Sequence, residues 1–153
     1  MCGILAIFCK NSKSYNKEKF LSSLMKIKDR GPDYSNILKV NENIIFGHNR
    51  LKIIDVSDKS NQPFQANGCS LIFNGCIYNY KYLKKILKKK YNFKTDGDTE
   101  VLLYSLIEWG EYALDKIDGM YSFIFHNGDE TIISVDEFNE KPLYYHQNEN
   151  YMI

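Results

Sequence analysis

The second residue of MCGILAIFCK is a cysteine, placed directly behind the initiator methionine and ahead of an apolar run. A small second residue favours removal of Met1, which would leave Cys2 carrying both a free thiol and a free α-amine. The thiolate is the strong nucleophile, and a thiol with a pKa of about 8.5 needs a base at neutral pH. An α-amine, with a pKa of about 7.7–8.0, is the one base guaranteed to lie beside that thiol once Met1 is gone. No histidine neighbours Cys2 in sequence, so a Cys-His pair would have to be made by the fold. Taken alone, Cys2 reads first as an ordinary buried cysteine opening a strand.

Other residues suggest a setting for such a nucleophile. Arg30 and Arg50 are the only arginines among twenty basic residues, and both sit in turn-rich or polar stretches, RGPD and GHNRL. A planar guanidinium there suits bidentate grip of a carboxylate, or else a structural ion pair or loop anchor. Asn-Gly occurs three times. Type I′ hairpin turns explain Asn67-Gly68 and Asn127-Gly128. Asn74-Gly75 instead follows SLIF and leads into the helix-like IYNYKYL. A strand-to-helix junction there would aim backbone N–H groups outward, making an oxyanion hole from the Asn74 amide and the Gly75 N–H. Asp96 and Asp98 flank a glycine ahead of a helix, where Asp98 reads as an N-cap or as a carboxylate that receives an ammonium group.

Composition narrows the classes. At 153 residues the chain is one ordinary domain, and its net charge of +1 gives no broad electrostatic case for nucleic acid or a charged membrane surface. The opening run, Gly3 to Cys9, is far shorter than the ~20 residues of a membrane span and lacks a basic lead-in. A soluble, cytoplasmic protein is expected. Cys2, Cys9, Cys69 and Cys76 form no CxxC, and His48, His126 and His146 form no HxxxH, so no metal site is expected and the cysteines read as thiols.

The elements that must position these residues follow from periodicity. GILAIFC reads as a strand buried on both faces. NKEKFLSSLMKIKD places Phe20, Leu24 and Ile27 at helical spacing until RGPD breaks the helix. SNILKV and NIIFGHNRLKIID read as strands, VSDKSNQPFQANG as a polar connection and CSLIFNG as a strand. IYNYKYLKKILKKKY is an amphipathic helix with Leu83, Ile86 and Leu87 on one face. A further helix starts near TDGDTEV, with Val101, Leu102, Ser105, Leu106 and Trp109 along one side. GMYSFIFHNGDETIISVDE and KPLYYHQNENYMI read as strands joined by turns. Strands, then helices, then strands indicate an α+β layered fold rather than a doubly wound one.

Taken together, MCGI, RGPD, GHNRLKIID, SNQPF, FNGCIYNY, DGDTEVLL, DGMYSF and KPLYY resemble the glutaminase domain of glutamine-hydrolysing asparagine synthetases. That domain is a class II glutamine amidotransferase of the N-terminal-nucleophile type, and the motifs match in order over nearly the whole chain. GHNRLKIID followed by QPF resembles this branch more than the amidophosphoribosyl or glucosamine-phosphate branches. The resemblance implies a four-layer αββα sandwich of the N-terminal-nucleophile hydrolase type. Carried over residue by residue, it implies Cys2 as nucleophile with its own α-amine as base, and Asn74 and Gly75 as the oxyanion hole. It further implies Arg50 on the α-carboxylate of glutamine and Asp98 on its α-ammonium, with Cys76 on the amine side of the pocket. The reaction implied is hydrolysis of glutamine to glutamate and ammonia through a thioester.

Several positions depart from the family pattern. Cys76 stands where Glu is usual, Asp29 where His precedes RGPD, and Glu137 and Asn139 where DRxGxKPLYY has Arg and Gly. Asn139 tolerates a left-handed backbone better than most residues. The expected domain spans residues 2–153 and is shortened at its C-terminal end, stopping at YMI in a terminal hairpin. The synthetase domain is absent from it, so ATP and Mg are expected only for that missing domain and no cofactor for this chain. Implied partners are L-glutamine and a synthetase domain or partner chain that accepts ammonia, with no nucleic acid and no membrane. Two other readings stand beside the enzyme. One is a non-catalytic glutamine-binding or interaction module, motivated by Cys76, Glu137 and the short end. The other is a fragment of an asparagine synthetase with an unpaired apolar edge.

Overall fold

A computed structural model describes residues 1–10 and 15–153. In chain order it contains β1 (Gly3–Cys9), α1 (Lys17–Met25), β2 (Tyr34–Lys39), β3 (Ile44–Arg50), β4 (Phe64–Ala66) and β5 (Cys69–Ile77). These are followed by α2 (Tyr80–Leu87), α3 (Asp98–Trp109), β6 (Gly119–His126), β7 (Thr131–Val135) and β8 (Tyr151–Met152). The strands form two antiparallel sheets, ordered β2-β3-β1-β8 and β4-β5-β6-β7. Helix α1 lies on β1 and β3, α3 lies on β4 and β5 with α2 beside it, and β5 faces β1 and β3. The result is the four-layer α+β sandwich that the motif order implies.

Strand alternation explains how β5 serves two cores at once. Ile72 points between the sheets, into a cluster with Ala6, Ile44, Phe46 and Ile124. Leu71 and Phe73 point the other way, under α3, into a cluster with Leu102, Phe123 and Phe125. Because it is covered by both α2 and β5, α3 is buried on all sides from Asp98 to Leu106 and not along one stripe alone.

Several boundaries differ from the periodicity reading. Helix α1 is capped by the Asn16 side chain, which accepts from the Lys19 N–H at 2.8 Å, and it ends at Met25, four residues before Asp29. A short 3₁₀ turn, Lys28–Arg30, follows. Ile86 is 40% exposed, so only Leu83 and Leu87 carry the buried face of α2. β3 stops at Arg50, and Leu51 to Asp55 form a loop because the Arg50 guanidinium gathers acceptors from residues that follow it. Asn67 and Gly68 both have positive φ, as a type I′ turn requires, whereas Asn127-Gly128 does not form that turn. There only Gly128 is left-handed, and the Asn127 carboxamide instead accepts from the Asp129 and Glu130 N–H groups. KPLYY is not a strand, but the end of the chain does fold back, with His146 and Ile153 exchanging backbone hydrogen bonds.

His48 lies fully buried between the sheets, with Nε2 3.2 Å from the Phe73 carbonyl oxygen, so Nε2 carries the proton. Burial lowers its pKa from 6.5 to about 4, aided by Arg50 and opposed by the bond to Phe73. Between those values the unfolded chain binds a proton that the folded chain does not. Stability therefore falls on acidification through that window, by about 1.4 kcal/mol per pH unit from this one group. Urea midpoints measured from pH 7 to pH 4.5 should decline less steeply for His48→Gln than for the wild type.

Candidate active site

The register of β1 on β3, Gly3 opposite Asn49, puts Cys2 opposite Arg50 one step further out. The Leu51 N–H donates to Cys2 Sγ at 3.4 Å, and the thiol lies 3.8 Å from the Leu51 carbonyl oxygen. Arg30 Nε donates to the Cys2 carbonyl at 3.1 Å. Gly31 packs RGPD onto the end of β3 so closely that a Cβ there would lie 2.2 Å from the Asn49 oxygen. Burial raises the Cys2 thiol pKa, and the nearby Asp98 charge adds to this. The Leu51 N–H, the chain's amino terminus and Arg50 pull it down.

The facing sheet contributes through one edge of β5. Tyr78 donates to Asp118 in the β5–β6 ladder, so even-numbered residues of β5 turn their N–H groups toward β6 and odd-numbered ones turn away. On the outward edge the Phe73 N–H donates to Gln62 Oε1 at 2.7 Å and the Ile77 N–H to Asp98 Oδ2 at 3.0 Å. Between them the Gly75 N–H has no protein acceptor among the described residues. The side chains of Asn74 and Cys76 share the Ile72 face of the strand, toward the first sheet. The Asn74 side chain, on a residue 4% exposed, likewise makes no hydrogen bond among the described residues. Asn74 and Gly75 thus sit inside a strand, three residues and two residues from its end, and not at a strand-to-helix junction. The free donor arises from ladder parity.

A third group joins the two sheets. Arg50 Nη1 donates to the Ser57 carbonyl and to Asn61 Oδ1, each at 2.7 Å, and Nη2 donates to the Asp55 carbonyl. This leaves the Nε–H and one Nη2 proton, the edge that forks onto a carboxylate. Asp55 itself has a left-handed backbone, φ 48°. Its carboxylate accepts from the Ser60 hydroxyl, the Ser57 N–H and the Asp96 N–H. Those bonds outweigh burial and hold its carboxyl far below the usual range. They also tie the Arg50 loop to the turn that starts α3. Asp98 is the first residue of that helix, with Gly97 at the cap position. Burial raises the Asp98 carboxyl, and the N–H groups of Ile77, Asp98 and Thr99 lower it.

Cys2, Arg50, Asn74, Gly75, Cys76 and Asp98 all line one cavity of about 300 Å³. Met1, Gln62 and Lys141 line it too. Lys141 is 7% exposed, delivered there by the DEFNE turn, in which Asp136 accepts from the N–H groups of Tyr121, Glu140 and Lys141. Asn139 in that turn is left-handed, φ 53°. Burial raises the Cys76 thiol, Asp98 adds to this and Lys141 opposes it. Asp96 is not part of the cavity: it pairs with Lys84 at 2.9 Å on the surface. A slightly larger cleft, about 340 Å³, lies between the sheets near Phe8, Ile133 and Tyr144, lined mainly by apolar side chains. Gln62, Asp55 and Lys141 entered the sequence reading only as members of SNQPF, GHNRLKIID and KPLYY, with no role of their own, because each acts through contacts made across the fold.

Known proteins bear on this geometry. The family model described as a glutamine amidotransferase domain matches residues 1–153. The chain belongs to this family. It is 37% identical over 153 residues to asparagine synthetase [glutamine-hydrolyzing] 1 of Bacillus subtilis (strain 168), covering 95% of this chain and 24% of that protein. It is 34% identical over 149 residues to asparagine synthetase [glutamine-hydrolyzing] 2 of Arabidopsis thaliana, covering 94% and 25%. The chain thus spans about a quarter of the length of these relatives and is homologous to their glutaminase half. In fold it matches glutamine phosphoribosylpyrophosphate amidotransferase from B. subtilis, solved with ADP and GMP, with a TM-score of 0.78 at 20% identity over 97% of this chain and 41% of that one. The two chains therefore share the sandwich fold. Among the described residues no helix is long and apolar enough to cross a membrane, and no group of three or more His, Cys, Asp or Glu could hold a metal ion.

Gly75 can be tested by bulk alone. A Cβ there would lie 2.2 Å from the Met120 carbonyl oxygen and 2.7 Å from Tyr121 Cα. Gly75→Ala should lower stability by about 1–3 kcal/mol in urea unfolding, because β6 must move. A wild-type midpoint would show that β6 yields without cost.

Proposed function

We propose that this domain hydrolyses glutamine to glutamate and ammonia, with Cys2 as nucleophile, and that it passes the ammonia to an acceptor domain or partner chain. The observation that carries the reading is the convergence of the Cys2 thiol, an unpaired strand N–H and an unpaired carboxamide on one cavity. Loss of Met1 frees the Cys2 α-amine, which takes the thiol proton as Sγ attacks the side-chain amide carbon of glutamine. The Gly75 N–H and the Asn74 amide then donate to the oxyanion, each worth roughly 2.7–4 kcal/mol in such sites. The C–N bond breaks as the ammonium proton moves to the departing nitrogen. Ammonia leaves, and water cleaves the thioester to release glutamate and restore the thiol.

Arg50 keeps the Nε/Nη2 edge for the substrate's α-carboxylate, and Asp98 offers a carboxylate to its α-ammonium. Cys76 and Lys141 close the same side with a neutral thiol and a cation. A cytoplasmic setting, which keeps thiols reduced, belongs to this proposal.

Three measurements test it. Intact and peptide mass spectrometry after treatment with a diazo-ketone analogue of glutamine should show Met1 lost and a single adduct on Cys2. Cys2→Ala should release no glutamate, and release that survives this change would overturn the reading. Asp98→Asn keeps an acceptor for the Ile77 N–H but loses the charge, so glutamine KM should rise roughly tenfold, about 1.4 kcal/mol of binding. An unchanged KM would remove Asp98 from the substrate's amine.

A further inference from the structure

The register of β4 on β5 pairs Phe64 with Leu71, Gln65 with Ser70 and Ala66 with Cys69. One more hydrogen-bonded step would put the backbone of Gln62 opposite Phe73, and the next would put Ser60 opposite Gly75. A ladder carried that far would cover the Gly75 N–H with the Ser60 carbonyl. The chain does something else. The strand stops at Phe64, Ser60 turns away in a 3₁₀ segment to donate to Asp55, and the side chain of Gln62 makes both bonds of the missing backbone pair. Gln62 Oε1 accepts from the Phe73 N–H at 2.7 Å, and Gln62 Nε2 donates to the Phe73 carbonyl at 3.2 Å. His48 Nε2 donates to the same carbonyl at 3.2 Å from the facing sheet.

We propose that Gln62 is a positioning residue for the oxyanion hole. Its carboxamide replaces one strand residue opposite Phe73, fixing the peptide that precedes Asn74 while ending the ladder before it can occupy the Gly75 N–H. This inference rests on the glutaminase reading above. The bonds fit that role well, since Phe73 has only one N–H and one carbonyl and Gln62 takes both. Gln62 is 4% exposed, so the two bonds are shielded from competing water. Without them the segment from Phe73 to Gly75 would keep its β6 ladder and the His48 bond to the Phe73 carbonyl, but the Phe73 N–H would lose its acceptor and the carbonyl one of its two donors. The Asn74 amide and Gly75 N–H would then shift relative to the attacked carbonyl. Displacements on the scale of 1 Å cost about 10²-fold in rate.

The test compares the wild type with Gln62→Met, nearly isosteric but unable to bond at both ends, and Gln62→Asn, polar but one methylene short of both. Glutamine turnover should fall by roughly 10- to 100-fold in kcat, with KM changed by less than about threefold. Alkylation of Cys2 by a haloacetamide, a displacement that forms no oxyanion, should proceed at the wild-type rate in both variants. Equal losses in turnover and alkylation, or a kcat within about threefold of wild type in a variant that folds, would overturn the role. A wild-type chain that alkylates at Cys2 but releases no glutamate would overturn the glutaminase reading, and this inference with it.

Discussion

The outer edge of β5 governs the cavity. Beyond its pairing with β4, three backbone N–H groups face that edge, from Phe73, Gly75 and Ile77, and an unpaired buried donor costs about 1–3 kcal/mol. Gln62 satisfies the first and Asp98 the third, both by side chain. A side chain can close one donor and leave the next open, which a continuing strand cannot do. The middle donor is thereby presented to the cavity with both neighbours held, and held donors need no reorganisation when charge develops in front of them.

The opposite wall depends on the Arg50 loop. β3 ends where the guanidinium draws in the carbonyls of Asp55 and Ser57 and the Asn61 amide. Asp55 then reaches the N–H of Asp96 at 2.8 Å, fixing the turn from which α3 departs. The chain brings Arg50 and Asp98 to one cavity through this relay, although they come from different sheets' surroundings. Cys2 is fixed in the same manner, by Arg30 on its carbonyl and Leu51 on its sulfur. The two arginines therefore divide their work: Arg30 anchors backbone, and Arg50 anchors a loop while keeping one donor edge free.

Much of the architecture was legible in the chain. The apolar runs around Ile4, Ile45, Ile72 and Phe123 are strands, the Leu83–Leu87 and Val101–Leu106 spacings are helices, and Asn67-Gly68 is the hairpin turn that its residue types require. Errors fell where polar side chains override local pattern. Leu51 to Asp55 looks like continued strand because it is apolar, yet Arg50 folds it into a loop. Asn127 looks like a turn residue of type I′, yet its carboxamide organises a wider loop. Ile86 has helical spacing but no layer above it, so it stays outside.

The sequence by itself determined the layered class, the motifs that tie the chain to the glutamine amidotransferases, and the candidate set of Cys2, Arg50, Asn74, Gly75, Cys76 and Asp98. The class follows from residue type, order and spacing, and the candidate set from the resemblance those motifs carry. Only the tertiary structure decided that Gly75 offers a free N–H from within a strand, that Gln62 and Asp98 close its neighbours, and that Lys141 enters the cavity while Asp96 stays on the surface. Hydrogen-bond satisfaction is a property of pairs, and the pairs here are made between residues as far apart as Ile77 and Asp98 or Cys2 and Leu51. Periodicity tells which way a side chain faces, but which backbone donor is left without a partner is settled only when every strand has found its register.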